Sequence, residues 1–131
     1  MALHIKALSS KNPQNLTEDS KYIAKSISTG LIDFERLAYL VSNQCTVRES
    51  DCYAVLLALE HNMLDELQQG KTVNFGRIGN FKIGVKSNRE DTPEEVTVTT
   101  IKSAHLNFRA SSKLRKKLKS LDYSIKTQTG S

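Results

Sequence analysis

The stretch Val73-Asn-Phe-Gly-Arg-Ile-Gly-Asn-Phe-Lys-Ile83 places two of the chain's six glycines three residues apart, between aromatic and β-branched residues. Glycine weakens a strand interior unless a turn, a bulge or a close backbone approach requires it. Val73 and Phe75 alternate with Asn74 before the pair, and Phe81, Ile83 and Val85 alternate with Lys82 and Gly84 after it. The pattern predicts two short strands joined by a tight glycine-bearing corner. One face of that hairpin is apolar and the other polar.

Start and stop signals order the rest. Residues 3–8 and 22–27 each have the composition of a short strand and flank a polar loop containing Asn12-Pro13, with Thr29-Gly30 breaking the second strand. Asp33 is a plausible N-cap for a helix of about ten residues that carries Phe34, Leu37, Ala38 and Val41 on one face. Thr46-Val-Arg-Glu49 has capping-box spacing. Cys52, Val55, Leu56, Leu59, Met63 and Leu67 follow at helical intervals, and Gly70 suits the C′ position. Beyond the hairpin, residues 86–95 are polar and hold Pro93. A longer strand is expected from Val96 to about Arg109. Ser111 or Ser112 then caps a basic helix over 113–119, and the tail from Asp122 is expected to be loose. The fold class is α+β: two helices, a three-stranded antiparallel sheet with a polar excursion, and a short basic helix. The expected organisation is an N-terminal extension over 1–30, a main domain over 31–121 and a tail over 122–131.

At 131 residues, with 38% hydrophobic residues, 6% aromatics and no Trp, a core confined to one chain is thin. A second subunit is expected to complete it. Charge is uneven: residues 1–70 carry 6 Lys and Arg against 9 Asp and Glu, whereas residues 71–131 carry 13 against 5. The basic half contains the glycine corner, which favours an anionic partner. Nothing at the N-terminus has the apolar core of a signal peptide, and no run reaches membrane-spanning length, so a cytoplasmic protein without a membrane partner is expected. Cys45 and Cys52 lack CxxC spacing and read as reduced thiols, Cys52 as a small core residue.

The residues do not assemble a catalytic set. His4, His61 and His105 are dispersed over strand, helix and strand, without Cys or Asp at metal or nucleophile spacing. Gly76-x-x-Gly79 runs into a strand rather than opening a helix, so it is no phosphate loop of the nucleotide-binding kinds. Glu94-Glu95 has no facing carboxylate. The reading is no enzyme, no metal, no cofactor and no small-molecule substrate. Strand alternation instead turns Asn80, Lys82, Gly84 and Lys86 outward, together with Ser103, His105, Asn107 and Arg109. Lys113, Arg115, Lys116, Lys117 and Lys119 put five positive charges in seven residues with no acid among them. Such a surface suits a phosphate backbone.

This ordered set resembles the bacterial histone-like DNA-binding proteins of the HU and integration-host-factor class over about residues 31–120. Gly79-Asn80-Phe81 is similar to that family's Gly-Thr-Phe corner. Residues 108–118 resemble its closing Phe-Lys-Pro-Gly-Lys-x-Leu-Lys segment, with Phe108, Arg109, Leu114 and Arg115 on like residues. The extension around Lys21 to Ser28 and the run Asp91-Thr-Pro-Glu-Glu95 look like an HU-like branch common in Bacteroides and relatives. The resemblance implies an intertwined homodimer with Phe75, Phe81 and Phe108 in its core, a saddle of sheet on double-stranded DNA, and arms reaching toward the minor groove. DNA contacts are expected at Lys82, Lys86, Arg89, Arg109, Lys113, Arg115, Lys116, Lys117 and Lys119, in a nucleoid-associated, non-sequence-specific protein. Rival readings are a protein-interaction module of the same fold with little or no DNA binding, and an RNA-binding protein; the outward face has no aromatic residue on which bases would stack.

Two departures stand out. Ala110-Ser111 replaces the family's Pro-Gly. Pro93, near the position of the family's arm-tip proline, is surrounded by Glu90, Asp91, Glu94 and Glu95, and no Lys or Arg occurs between Arg89 and Lys102. An acidic tip is repelled by the minor groove, so the tips are expected to stay out of it and the DNA to bend little.

Overall fold

The computed structural model describes residues 2–10, Gln14 and 21–126. It divides into two compact units, residues 1–32 with 118–131 and residues 33–117. Asn12-Pro13 lies outside the described residues.

The first unit is a three-stranded sheet. β1 (Leu3–Ser10) pairs antiparallel with β2 (Lys21–Ser26), in register from Ile5 opposite Ser26 to Ser10 opposite Lys21. The expected loose tail is corrected here. Tyr123–Ile125 forms a strand, β6, parallel to β1, with Leu3 opposite Tyr123 and Ile5 opposite Ile125. The Leu3 N–H donates to the Asp122 carbonyl at 2.8 Å and the Lys126 N–H to the Ile5 carbonyl at 2.9 Å, so the pairing continues past both ends of the strand. Backbone groups of the β1 edge thus find partners that a loose tail would leave to water.

The second unit begins as the sequence predicts. Asp33 caps α1 (Phe34–Ser42), its carboxylate accepting from the Arg36 N–H at 3.0 Å. α2 (Glu49–Gln68) starts later than the capping-box reading places it, with Arg48 at the N-cap and no side-chain cap bond. Thr46 is still in the turn leaving α1, where the Gln44 N–H and the Cys45 thiol both donate to the Val41 carbonyl. Glu49 and Asp51 instead put negative charge in the first turn, where the helix dipole favours it. At the other end Gly70 adopts φ +86°, its N–H donates to the Leu67 carbonyl, and the Lys71 N–H donates to that of Glu66. This is the Schellman arrangement that the glycine permits. The Lys71 ammonium returns to the Glu66 carboxylate at 2.8 Å, which raises its pKa.

Ala38, Cys52 and Leu67 are the buried hydrophobic residues among those described, and no large side chain is fully buried. Burial pushes the Cys52 thiol pKa up and the neighbouring Cys45 thiol adds to the shift, so Cys52 is a protonated core group. Val55, read as part of the apolar face of α2, is 63% exposed, and Leu57 and Leu64 are also exposed.

β3 (Val73–Phe75) and β4 (Gly79–Ser87) form the predicted hairpin, with Phe75 opposite Gly79. β4 pairs with β5 (Ile101–Ala110) along its length, with a register shift between Lys86 and Ser87. β5 starts at Ile101 rather than Val96. Residues 93–95 and 98–100 form two single 3₁₀ turns, and Thr100 donates both its N–H and its hydroxyl to the Thr97 carbonyl. The Asn88 N–H donates to the Thr100 carbonyl and closes the loop at its base. These local bonds satisfy backbone groups that a longer strand would have placed in the ladder. α3 (Ser112–Lys119) follows, capped by Ser111, whose hydroxyl accepts from the Leu114 N–H at 3.0 Å. Ser111 also ties the helix start to the hairpin corner: its N–H donates to the Ile78 carbonyl, and its hydroxyl to that of Arg77.

The two corner glycines serve different purposes. Gly76 takes φ +57° with open space around it, so it supplies only a backbone conformation. A methyl group at Gly79 would lie 2.2 Å from the Arg109 carbonyl oxygen and 2.9 Å from the Phe108 ring. Gly79→Ala is expected to destabilise by about 2–3 kcal/mol, because rigid backbone must move. Gly76→Ala should cost about 1–2 kcal/mol. Urea titrations at matched protein concentration check the order of the two variants.

Candidate nucleic-acid interface

The β4–β5 register determines which side chains share a face. Phe81 lies opposite Phe108, Ile83 opposite Leu106 and Val85 opposite Ala104. The Phe81 and Phe108 ring centroids are 5.0 Å apart at an interplanar angle of 41°. Because side chains alternate along a strand, the intervening pairs lie on the other face. These are Asn80 with Arg109, Lys82 with Asn107, Gly84 with His105, and Lys86 with Ser103.

The first face opens onto a groove of about 430 Å³ lined almost wholly by apolar side chains, among them Phe34, Leu37, Leu59, Met63, Phe75 and Phe81. Phe108 remains 47% exposed and Leu106 57%. Two helices and one small sheet do not cover this apolar surface.

The second face is polar and cationic. It brings together Lys82, Lys86 and Arg109, all exposed. Asn74 adds an amide that donates to the Asn80 side chain at 2.7 Å, while its oxygen accepts from the Gly76 N–H at 3.1 Å. The three strands contain no Asp or Glu. Arg89 lies apart from this row, in the loop after β4. On α3, Lys113, Lys116 and Lys117 share one side by helical spacing, Leu114 and Leu118 another, with Arg115 and Lys119 on a third. Lys119 falls beyond the boundary between the two compact units.

His105 and Asn107 stand in the same outward row as the cations. Strand alternation alone turns them outward, but neither is a lysine or arginine, the residue types that single out a phosphate contact in sequence. Pro93 opens the first 3₁₀ turn, with Glu94 and Glu95 in the same turn and Glu90 and Asp91 just before it, all exposed. Among the described residues, no group of three or more His, Cys, Asp or Glu is placed to hold a metal ion, and no helix is long and apolar enough to cross a membrane.

Comparison with known proteins gives the frame for this geometry. A search of curated proteins finds no match. Among solved structures, the chain is similar to a protein from Bacteroides vulgatus described as a candidate bacterial DNA-binding protein, with TM-score 0.63 and 17% identity. That match covers 94% of this chain and 48% of the other, so the chain spans about half the length of that relative. It is also similar to Anabaena HU crystallised with DNA, with TM-score 0.54 and 18% identity, covering 68% of this chain and 99% of the HU chain. At these identities the likeness establishes the fold. The family model for an HU domain fused to a winged helix-turn-helix, Ig or glycine-rich motif matches residues 1–126, and the chain belongs to that HU-domain family.

Proposed function

We propose that this chain is a non-enzymatic, homodimeric, HU-like protein of the bacterial nucleoid that binds double-stranded DNA through its phosphates, without sequence specificity. The observation that carries the reading is the outward face of β4–β5, where Lys82, Lys86 and Arg109 share one surface with short polar side chains and no carboxylate. Cations of this kind neutralise phosphates and release counterions, whereas discrimination between bases needs side chains that reach the groove floor. Arg89 and the α3 cations Lys113, Arg115, Lys116, Lys117 and Lys119 extend the positive field, and residues 31–121 form the DNA-binding domain. The reading needs no cofactor, metal, small-molecule substrate or membrane. That Anabaena HU was crystallised with DNA supports it.

The uncovered apolar groove supports the dimer. A partner chain is expected to bury Phe75, Phe81 and Phe108, and such dimers often have no stable folded monomer. Sedimentation is expected to show a dimer at micromolar concentration; a folded monomer there would contradict obligate dimerisation.

If a dimer neutralises on the order of five phosphates, log K should fall against log salt with a slope of about −4 to −5. Joint replacement of Lys82, Lys86 and Arg109 by Ala should weaken all duplexes alike and flatten that slope. Replacing Lys116, Lys117 and Lys119 should have the smaller effect. A duplex titration over a salt series, with RNA as competitor, measures all of this. Absence of duplex binding at low salt would favour the interaction-module reading.

The loop tip is expected to stay out of the minor groove. Its four carboxylates would meet the groove's negative potential, at roughly 1 kcal/mol for each close like-charge approach even in high dielectric. Fluorescence transfer across a short duplex should therefore report a small bend that Pro93→Ala leaves unchanged. A sharp bend abolished by that substitution would restore a wedge role for Pro93.

A further inference from the structure

The outward face of β4–β5 has one position without a side chain, and two nitrogen-bearing groups lie over it. Gly84 sits opposite His105 in the ladder. A methyl group added at Gly84 would lie 2.7 Å from His105 Nε2 and 2.7 Å from Asn107 Nδ2. The imidazole and the amide therefore rest against the same stretch of glycine backbone, and both residues remain exposed. Lys82 and Lys86 flank Gly84 two residues away on either side of β4, on the same face. From β5 itself, Ser103 and Arg109 complete the surroundings. The charged groups facing His105 from the two strands are thus all cationic.

We propose that Gly84, His105 and Asn107 form a phosphodiester seat on this face, with the imidazole and the amide donating to one DNA phosphate, and that protonation of His105 tightens it. The proposal rests on the duplex-binding reading above and adds to it a specific anion position and a pH response. The chemistry is direct. An Asn amide is a donor at any physiological pH, whereas an imidazole has one N–H when neutral and two when protonated. Side chains lying flat on a sheet present donors to a backbone resting on it, and do not project to base edges. Glycine at position 84 matters because any larger residue would lift both groups away from their common point.

The sign follows from the charge. Histidine changes charge between about pH 5 and 8, while DNA phosphates remain ionised. The added cation is present at the acid end of that range and lost as pH rises, so affinity should be higher at low pH. A hydrogen bond from a charged donor exceeds one from a neutral donor by enough to change affinity roughly fivefold. The salt slope should steepen by about 0.9 for each phosphate newly neutralised.

The test is a duplex-binding titration of the full chain at about pH 5.5 and pH 8, at fixed ionic strength, for the native protein, His105→Gln, Gly84→Ala and His61→Gln. The native protein and His61→Gln should bind more tightly at the lower pH. His105→Gln should retain duplex binding but lose the pH response, and Gly84→Ala should bind more weakly with a reduced response. A pH response that persists in His105→Gln, or its absence from the native protein, overturns the seat while leaving duplex binding in place. Failure of the native protein to bind duplex at either pH overturns the parent reading as well.

Discussion

The pairing of β4 with β5 is the interaction from which the rest of the second unit takes its meaning. Side chains alternate with a period of two, so a slip of one residue would carry Phe81, Ile83 and Val85 to the outer face and bring Lys82 and Lys86 inward. Several features hold the register. Phe81 packs across the ladder on Phe108, and Gly79 admits the Arg109 carbonyl to a distance no side chain would tolerate. Ser111 then binds the strand's exit to the hairpin corner through the Arg77 and Ile78 carbonyls. Together these contacts put an apolar face and a cationic face on opposite sides of one thin sheet.

That two-faced sheet explains why so little is buried within one chain. Ala38, Cys52 and Leu67 are the buried hydrophobic residues among those described, while Leu64, Leu106 and Phe108 stay open to solvent. Large exposed apolar areas on a soluble surface mark interaction sites. In the proposed function the two faces of this sheet take two associations, a second subunit on the apolar side and the DNA backbone on the other. The first unit is a small mixed sheet in its own right, with the parallel β6 adding to the β1–β2 pair.

Much of this was legible locally. Asp33 lies where an N-cap must, Gly70 where a helix must turn through positive φ, and the alternation of 80–86 separates the two faces without any coordinates. What was not legible depended on distant residues. Thr46 and Glu49 have capping-box spacing, but the chain is still leaving α1 at Thr46, a fact no four-residue motif contains. The Val96 to Thr100 segment has strand composition, yet the Thr97 carbonyl and the Asn88 N–H draw it into a closed loop. β6 is three residues long and pairs with a strand more than a hundred positions earlier, so nothing near Tyr123 announces it. Gly79 reads as a turn glycine in sequence, and the structure adds to its φ of +153° a second demand, the close approach of β5. The outward row was legible as a face, but the convergence of His105 and Asn107 over Gly84 needed side-chain positions.

In the proposed function the outward face of β4–β5 is the surface that meets duplex DNA. Lysine labelling of the full chain with and without a short duplex, read residue by residue by mass spectrometry, tests it most directly. Lys82 and Lys86 should be strongly protected by the duplex at low salt and regain reactivity as salt is raised, with Lys25 on β2 as the reference. Equal labelling of Lys82 and Lys86 in the presence and absence of bound duplex would contradict the account.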